Sequence, residues 1–347
     1  MTRVVFRADA GPRIGAGHVA RCLALAGALA GRGASIAFAM RRGSARAVSG
    51  FDTSGFERID LPEEDDDVPP LLAALGGGTD VLIVDHYGWH GEQERATRPR
   101  ARRIVVIDDL ADRAHDADLL IDATPGRGSS AYRSKVPQAA KLLLGPQFAM
   151  LRPEFAALRP KVAARRTSND EVLSVLVSFG GLDSKNLTQR SLDAIVSSGI
   201  DSRFVVVLGG AAPHVGSIGD SVKRIAARGF DVTLHLQSER MGELMMKADL
   251  AIGAAGGTAL ERCVLGLPSI VVALADNQLG AARALAAEGA IEFLGSHENV
   301  SSDEIGKALT GLATDVDKRR GMSERAAEIC DGLGACRVAN AVTALAA

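Results

Sequence analysis

The stretch RVVFRADAGPRIGAGHVARCLALAGALA, residues 3–30, decides the fold class of this chain. Residues 3–9 form a β-branched apolar run typical of a buried strand, and a glycine-rich turn follows it. A helix is predicted over 18–31, with an apolar stripe made of Val19, Cys22, Leu23, Ala26 and Ala30. A buried strand that passes through a glycine turn into an amphipathic helix is the first βα unit of an α/β fold.

The same alternation continues along the chain in two halves. Further strands are predicted at 34–40, 80–88, 103–109 and 141–145, and then at 171–181, 202–210, 231–237, 249–257 and 268–274. Because alternating strands and helices imply right-handed βαβ units, we predict an α/β chain of two doubly wound Rossmann-like domains that face a cleft.

The predicted boundaries follow from composition. The first domain spans 1–158, a basic and polar linker spans 159–170, and the second domain spans 171–347. The helices predicted over 301–347 complete the second domain and can also pack back on the first. Ligands of open α/β sheets bind at the carboxyl ends of the strands, which makes the cleft the expected site.

Composition limits the class of protein and its partners. The chain is 47% apolar and 24% charged, with a net charge of −2 and four cysteines without paired metal spacing. No apolar run is long enough to span a bilayer, and no signal peptide is recognisable. We therefore expect a cytoplasmic protein with reduced thiols, no nucleic-acid partner and no stable membrane association. The oligomeric state stays open, and a monomer is compatible with the sequence.

Two glycine turns of the second half have the form of phosphate sites. AIGAAGGTALERC (251–263) joins a buried strand to a helix that begins near Gly257, so free N–H groups and the helix dipole would favour an anion. Thr258 adds a hydroxyl, and the carboxylate of Glu261 could hold ribose hydroxyls. Tight strand–helix packing with an exposed glutamate explains the same residues equally well.

SFGGLDSKN (178–186) is the second of these turns. Ser178, Gly180 and Gly181 could meet the same ligand from a neighbouring strand. Asn186 is a candidate for the same ligand, although helix capping is its simpler role.

Three other strand ends carry polar side chains. VDHYGW (84–89) places Asp85, His86 and Tyr87 together at a strand end, and Asp85 could instead cap a helix. LADNQ (274–278) offers Asn277 and Gln278 either as helix caps or as groups that reach a sugar. The acidic segment 107–122 could suggest a metal site, but no ligand spacing repeats, and loop anchoring is favoured.

His18 opens the first predicted helix, directly after the glycine turn. The helix dipole disfavours imidazolium at this position, so we expect a neutral ring. Neutral imidazole suits a general base that acts on water. The turn also directs His18 towards the predicted cleft, which favours a function over packing.

Taken together, the motifs resemble one enzyme family. RADAGPRIGAGHVARCLALA, VDHYGW, IDDLADRAHDADLLID, LLGPQFAMLRPEF, SFGGLDSKNLT and AIGAAGGTALERCVLGLPSIVVALADNQ are similar, in this order, to the hydrolases of pseudaminic acid biosynthesis, a route to flagellin glycosylation. Those enzymes release UDP and 2,4-diacetamido-2,4,6-trideoxy-L-altrose from UDP-2,4-diacetamido-2,4,6-trideoxy-β-L-altropyranose. Their fold is similar to that of GT-B glycosyltransferases.

The resemblance implies roles for individual residues. His18 matches the histidine that activates water, and Tyr87 matches a tyrosine near the sugar. Gly256, Gly257, Thr258 and Glu261 match the residues that hold UDP. The resemblance also implies inversion at the anomeric carbon, with neither a metal ion nor another cofactor.

Further residues complete the expected binding set, and some positions depart from the family pattern. We add Gly15, Gly17, Arg21, Asp85, Asn277 and Gln278 to the expected substrate contacts. Gly257 replaces a serine that is common in the family, and Leu182 stands where another serine is common. These departures concern the phosphate contacts and the choice of sugar.

Two other functions remain open at this point. A GT-B glycosyltransferase would use the same nucleotide site but would need an acceptor. A non-catalytic sugar-nucleotide-binding protein would bind UDP without turnover. An NAD-dependent dehydrogenase is disfavoured, because IGAGHV lacks the third glycine of the dinucleotide fingerprint and has no acidic partner about 20 residues further on.

Overall fold

The computed structural model describes residues 1–11, 14–45, 51–52, 54–63, 66–168, 171–172, 174–236 and 240–347. The chain divides into two compact units. Unit 1 consists of Met1–Arg152 together with Leu333–Ala347, and unit 2 consists of Pro153–Gly332.

Unit 1 contains a sheet of seven parallel strands. They are β1 (Arg3–Ala8), β2 (Ser35–Arg41), β3 (Glu57–Leu61), β4 (Thr79–Asp85), β5 (Ala101–Ile107), β6 (Leu119–Asp122) and β7 (Lys141–Leu144). Their order in the sheet is β3-β2-β1-β4-β5-β6-β7. The strands β3 and β6 were not predicted from the sequence.

Both faces of this sheet are covered, as a doubly wound fold requires. Alternate residues of each inner strand belong to different hydrophobic clusters: Val4 and Phe6 to one, Val5 to the other. The helices of unit 1 are α1 (Gly17–Ala30), α2 (Val68–Leu75), α3 (Gly91–Thr97) and, from the end of the chain, α12 (Gly334–Ala346). The first cluster contains residues of α1 and α12, and the second contains residues of α2.

The buried stripe of α1 differs from the predicted one at two positions. Leu25 and Leu29 are buried, whereas Leu23 and Ala30 lie at its margin. The helix starts one residue earlier than expected. Leu25 lies three residues after Cys22, and Leu29 lies four residues after Leu25, so all three share one helix face.

Unit 2 contains a sheet of six parallel strands. They are β8 (Ser174–Ser178), β9 (Arg203–Leu208), β10 (Val232–Leu236), β11 (Leu250–Ala254), β12 (Ser269–Ala273) and β13 (Glu292–Ser296), in the order β10-β9-β8-β11-β12-β13. The edge strand β13 was not predicted. Its residues are all half-buried, which weakens the apolar signal in the sequence.

Eight helices of unit 2 lie in the described part of the chain. They are α4 (Pro153–Ser168), α5 (Leu187–Ser198), α6 (Val215–Ala226), α7 (Met241–Lys247), α8 (Gly257–Val264), α9 (Leu279–Ala287), α10 (Ser302–Thr314) and α11 (Val316–Ile329). The segment 159–170, predicted as a linker, is helical as far as Ser168. Its polar composition belongs to a helix that packs on α7 and α8.

The end of the chain also divides differently from the predicted boundaries. The helices α10 and α11 lie in unit 2, whereas α12 belongs to unit 1. Val338, Ala339 and Val342 of α12 are buried in the same hydrophobic cluster as Val19 of α1. Apolar burial of this helix face therefore attaches the last 15 residues to the first unit.

All four cysteines are free thiols, and Cys336 is exposed. None of the described helices combines the length and the hydropathy that a bilayer span requires.

Candidate functional site

The carboxyl-terminal edge of the sheet in unit 1 carries a row of carboxylates. Asp9 follows β1, Asp85 ends β4, Asp108 follows β5 and Asp122 ends β6. These four strands are neighbours, and all four side chains are buried. Because a buried carboxylate requires hydrogen-bond donors or a partner charge, the partners of each one decide what this edge can do.

A tight glycine turn leads from β1 to α1. The N–H of Gly15 donates to the carbonyl of Gly11 at 2.7 Å, and Gly15 has a φ of 79°, which favours glycine. The helix α1 then begins at Gly17 with no side-chain cap. Among the described residues outside its own helix, no atom lies within 4 Å of a Cβ placed at Gly17, so the start of α1 is open there.

His18, the second residue of α1, is joined to Asp85 at the end of β4. The distance between Nδ1 of His18 and Oδ1 of Asp85 is 2.7 Å. Arg21, one turn along α1, donates to both oxygens of Asp85 at 2.6 Å and to Oδ2 of Asp109 at 2.9 Å. The four side chains form one continuous charged network, in which Arg21 binds the carboxylate of Asp85 in a bidentate manner.

Asp85 is ionised in this network, and its charge determines the histidine tautomer. Burial opposes ionisation, but the charges of Arg21 and His18 and their hydrogen bonds hold the pKa of Asp85 far below its usual range. An ionised carboxylate only accepts hydrogen bonds. Nδ1 of His18 is therefore the donor, and in the neutral ring the lone pair of Nε2 is available to accept a proton.

At His18 the lowering of the pKa that we expected from the helix dipole is opposed by Asp85. Burial disfavours the imidazolium, but the charge of Asp85 and the hydrogen bond to it outweigh burial and raise the pKa of His18 above its ordinary value. A full charge at 2.7 Å has a stronger effect than the partial charge of a helix end. His18 is thus a stronger base than a free imidazole.

Tyr87 lies beside this pair. Its ring is perpendicular to the ring of His18, with 4.5 Å between the centroids. Tyr87 is 40% exposed. Partial burial and the charge and hydrogen bond of Asp109 raise the pKa of its hydroxyl, so the phenol stays neutral. The structure therefore brings His18, Arg21, Asp85 and Tyr87 together, as the motifs predict.

A second cluster, Asp9, Asp67 and His86, was not singled out from the sequence. Its candidate ligand atoms lie within 4.8 Å of one another. The buried guanidinium of Arg7 pairs with both carboxylates, at 2.7 Å from Asp9, and lies 5.9 Å from the ring centroid of Trp89. Arg7 thus supplies buried positive charge to this cluster, and Arg41 lies 3.8 Å from each of the two carboxylates. The sequence signal for it is an arginine inside an otherwise apolar strand.

The acidic segment 107–122 anchors loops, as predicted. Nδ1 of His115 lies 2.7 Å from Oε1 of Glu94 in α3. The hydroxyl of Tyr132 lies 2.9 Å from Asp108 and 2.8 Å from Asp122, so it links the ends of β5 and β6. These contacts are internal to the fold.

In unit 2, the chain after β8 is bent by unusual backbone angles. Gly180 has a φ of 89°, and two residues that are not glycine, Asp183 and Asn186, have φ values of 38° and 56°. Ser178 is buried at the end of the strand, and the carbonyl of Gly181 accepts from the N–H of Gly209 at 3.0 Å. Strained backbone of this kind clusters at functional sites.

Asp183, and not Asn186, caps α5. Its two carboxylate oxygens accept from the N–H groups of Leu187 at 3.0 Å and Thr188 at 2.8 Å. Asn186 makes no capping bond, and its Oδ1 atom is buried without a partner in the described residues. Capping, the simpler role considered for Asn186, is therefore wrong. Its polar group is left for another partner.

The loop after β11 exposes backbone donors. The helix α8 begins at Gly257, with Gly256 as its N-cap and no side-chain cap. Within the described residues, the N–H groups of Gly256, Gly257 and Thr258 have no acceptor. Glu261 lies one turn further along α8 and is half-buried. Free N–H groups at a helix start favour an anion.

The end of β12 contributes to the same place. Oε1 of Gln278 accepts from the N–H of Leu274 at 2.9 Å, and its Nε2 lies 3.5 Å from where a Cβ of Gly256 would stand. Asn277 is exposed in a short 3₁₀ turn and caps no helix. The strands β8, β11 and β12 are neighbours, so Ser178, Gly256 and Gln278 lie at or shortly after adjacent strand ends.

In both units, predicted site residues lie where the order of strands in the sheet reverses. In unit 1 the chain runs from β1 to one side and returns to the other side at β4, and in unit 2 the same reversal separates β8 from β11. Ligands of doubly wound folds bind at this position. His18 and Asp85 occupy it in unit 1, and the glycine loops after β8 and β11 occupy it in unit 2.

Comparison with known proteins identifies distant relatives. No protein-family model matches the chain. An uncharacterized protein of Methanocaldococcus jannaschii is 26% identical over 280 residues, which cover 80% of this chain and 56% of the relative. The spore coat polysaccharide biosynthesis protein SpsG of Bacillus subtilis is 26% identical over 75% of each chain. The UDP-2,4-diacetamido-2,4,6-trideoxy-beta-L-altropyranose hydrolase of Campylobacter jejuni is 22% identical over 83% of this chain and 97% of its own.

Solved structures share the fold of the whole chain. MurG of Acinetobacter baumannii has a TM-score of 0.72 at 16% identity and matches 99% of this chain and 100% of its own. The Anabaena protein HepE, solved with UDP and glucose, has a TM-score of 0.61 at 14% identity and covers 99% of this chain and 100% of its own. The predicted two-domain α/β fold is confirmed as that of the GT-B glycosyltransferases, and along most of its length the chain resembles a UDP-sugar hydrolase.

Proposed function

We propose that this protein hydrolyses a UDP-sugar, with UDP-2,4-diacetamido-2,4,6-trideoxy-β-L-altropyranose as the substrate. The products would be UDP and the free 2,4-diacetamido-2,4,6-trideoxy-L-altrose. The observation that carries this proposal is the contact of 2.7 Å between Nδ1 of His18 and the ionised Asp85, because it leaves Nε2 of the neutral ring as a base of raised pKa.

The residues of unit 2 would bind the UDP part of the substrate. The free N–H groups at the start of α8 suit the diphosphate, and the hydroxyl of Thr258 adds a donor. Glu261 would accept hydrogen bonds from the ribose hydroxyls. These donors stabilise the negative charge that develops on UDP as the bond to the sugar breaks.

Unit 1 would supply the attacking water. Nε2 of His18 takes one proton from the water while the water oxygen forms a bond to the anomeric carbon. The bond between that carbon and the UDP oxygen breaks, the electron pair leaves with UDP, and the configuration inverts. Because UDP leaves as a stable anion, this step includes neither a general acid nor a metal ion.

Hydrolysis is favoured over sugar transfer by the named relative. The hydrolase of Campylobacter jejuni aligns with this chain over 97% of its own length, whereas the likeness to MurG supports only the fold. We therefore propose water as the acceptor. The pathway assignment, pseudaminic acid biosynthesis, depends on the resemblance of the sequence motifs.

NMR that resolves the anomers of the sugar tests this proposal. The purified protein, given the UDP-sugar and no acceptor, should release UDP and a free sugar. The anomer that forms first should have the configuration opposite to that of the UDP-sugar. His18→Asn should lower the rate by about 10²–10⁴-fold, the usual contribution of a general base. UDP affinity should stay near that of the wild type, since the ring is not proposed to contact UDP.

His115→Asn is the matched control. His115 forms a histidine–carboxylate contact of the same length, 2.7 Å, with Glu94, so its loss measures the structural part of the effect. We expect the control to keep most of the activity. Normal turnover by His18→Asn would remove the base assignment. Release of UDP only after an acceptor is added would show a transferase, and UDP binding without turnover would show a binding protein.

A further inference from the structure

Arg262 places a charged group beneath the glycine loop of unit 2. It is 2% exposed and lies on α8 one turn after Thr258. Its Nη2 donates to the carbonyl of Ala254 at 2.7 Å, and its Nη1 lies 3.5 Å from Oγ1 of Thr258. The guanidinium therefore supports both ends of the loop that joins β11 to α8.

The charge of this buried cation is not compensated by an ion pair in the described part of the chain. Within the described residues Arg262 forms no ion pair, and its Nε atom has no hydrogen-bond acceptor. Arg7 and Arg21 of unit 1, by contrast, each contact two carboxylates. Burial lowers the pKa of Arg262 to about 10, although the nearby Glu261 and Cys263 favour its charge. It still carries a positive charge at neutral pH, and a buried charge without a partner is costly.

The absence of a side chain at Gly253 makes room for this guanidinium. A Cβ atom at Gly253 would lie 2.8 Å from Nη1 of Arg262 and 2.5 Å from the carbonyl oxygen of Ser178. The guanidinium thus lies where β8 and β11 adjoin, at the reversal of strand order in this sheet. Ligands of such sheets bind at this point.

We propose that Arg262 is the buried counter-charge of the diphosphate subsite. This inference rests on the proposed function, since it takes the ligand to be a nucleoside diphosphate. Arg262 positions the loop through Ala254, and its charge adds to that of the free N–H groups of Gly256, Gly257 and Thr258. A buried charge is screened less by salt than a surface lysine would be. Binding of the anion supplies the partner that the guanidinium otherwise lacks.

The test separates the charge of Arg262 from its packing. Arg262→Gln removes the charge and keeps an amide donor for Ala254, whereas Arg262→Lys keeps the charge. Arg319→Gln is the control, because Arg319 is also a buried arginine of unit 2 that donates to backbone carbonyls, those of Leu312 and Ala313. Calorimetric titration with UDP, displacement of UDP by uridine, and competition by inorganic pyrophosphate measure the subsite.

We expect Arg262→Gln to weaken UDP binding about 10- to 100-fold, or about 1.4–2.8 kcal/mol, and to abolish competition by pyrophosphate. Uridine affinity should change less than about twofold, and Arg262→Lys should keep UDP affinity within about fivefold. Arg319→Gln should leave all three ligands unchanged. Without ligand, the melting temperature of Arg262→Gln should stay within about 4 °C of the wild type, because the buried charge that it removes is unpaired.

Several outcomes would overturn the inference. Equal losses of UDP and uridine affinity in Arg262→Gln would make Arg262 a packing residue, and unchanged UDP affinity would remove it from the subsite. If Arg262→Gln fails to fold, Arg262→Lys supplies the test. A loss of UDP affinity above about 30-fold in the folded Arg262→Lys variant, which keeps the charge, would likewise make Arg262 a packing residue. A wild type that binds no UDP refutes this inference together with the nucleotide part of the proposed function. A wild type that binds UDP without hydrolysis refutes the proposed reaction alone.

Discussion

Nδ1 of His18 lies 2.7 Å from Oδ1 of Asp85, although 66 residues separate the two in the sequence. His18 follows β1 through the glycine turn, and Asp85 is the last residue of β4. Because β1 and β4 are neighbours where the strand order reverses, the fold itself creates this contact. Asp85 then fixes the tautomer of His18 and raises its pKa, which prepares the ring as a base.

Asp85→Asn should change the pH dependence of hydrolysis. The neutral ring of His18 is the proposed base, so kcat/KM of the wild type should fall as the pH drops through a pKa above about 6.5, the ordinary histidine value. Without the charge of Asp85, burial lowers the pKa of His18, and the acid limb should move below about pH 6.5. The plateau should drop about 10²–10⁴-fold, because the tautomer is no longer held. Profiles of kcat/KM from about pH 5 to 9 measure both effects.

Glu94→Gln is the matched control for this profile. It removes the carboxylate of the other buried histidine pair, His115 and Glu94, and should leave the acid limb in place. An acid limb at the same pH in Asp85→Asn and the wild type would contradict the coupling. The pair of His18 and Asp85 also contributes to the stability of the fold. Because the pKa of His18 is raised in the folded state, this contribution is full below about pH 6.5 and is lost as the pH rises through the raised pKa.

Two glycines of the β11–α8 region should respond oppositely to alanine. A Cβ atom at Gly253 would lie 2.5 Å from the carbonyl oxygen of Ser178, a backbone atom that cannot move without displacing β8. Gly253→Ala should therefore cost about 1–3 kcal/mol of unfolding free energy. In the described part of the chain, no atom outside its own helix lies within 4 Å of a Cβ at Gly257. Gly257→Ala should therefore keep or raise stability, by up to about 1 kcal/mol.

Urea denaturation of the two alanine variants and the wild type measures this difference. Equal stability of the two variants would show that β8 and β11 can separate at Gly253 without cost. UDP affinity of Gly257→Ala should remain close to that of the wild type, because alanine keeps every backbone N–H of the loop.

The sequence predicted the inner strands better than the edges. Strands such as β1 and β11 are continuous buried apolar runs, and the predicted strands overlap them. The edge strand β3, ERIDL, has charged and half-exposed residues, so it lacks the run of apolar side chains on which the prediction depends. The segment 159–170 was predicted to be a linker for the same reason: the packing of α4 on α7 and α8 is not encoded in local composition.

The candidate site was predictable where it follows strand ends. His18, Asp85 and Tyr87 were expected together, because the carboxyl ends of neighbouring parallel strands share one edge. The upward shift of the His18 pKa was not expected, since it depends on a carboxylate that only the fold brings close. Arg262 was missed because a cation next to Glu261 on a helix is usually exposed, and only the structure shows that it is buried.

The unfolding free energy of Asp122→Asn relative to that of the wild type should increase as the pH rises. Burial raises the pKa of Asp122 in the fold, although Thr124, Tyr132 and Arg127 oppose the shift. The folded protein therefore binds a proton there more tightly than the unfolded chain, whose aspartate pKa is about 3.9. Stability from this group is full below about pH 3.9 and is lost as the pH rises through the raised value.

Asparagine at position 122 cannot ionise and can still accept from the N–H of Thr124, which lies 2.8 Å from Oδ1 of Asp122. The unfolding free energy of the variant relative to the wild type should thus be higher at about pH 7.5 than at about pH 4.5. Denaturation in urea at both pH values checks this. A difference with the opposite sign would mean that the ion pair with Arg127 dominates over burial.

Asp183 and Asn186 should separate stability from binding in the loop before α5. Asp183→Ala removes both capping bonds, to Leu187 and Thr188, and should cost about 1–2 kcal/mol of unfolding free energy. Asn186→Gly keeps the positive φ of 56° without a side-chain penalty, so stability should be equal or higher by up to about 1 kcal/mol. It also removes the unpartnered Oδ1. If this atom accepts from the UDP-sugar, the KM of Asn186→Gly should rise while the melting temperature holds. An unchanged KM would leave Asn186 a backbone residue only, selected for its left-handed conformation.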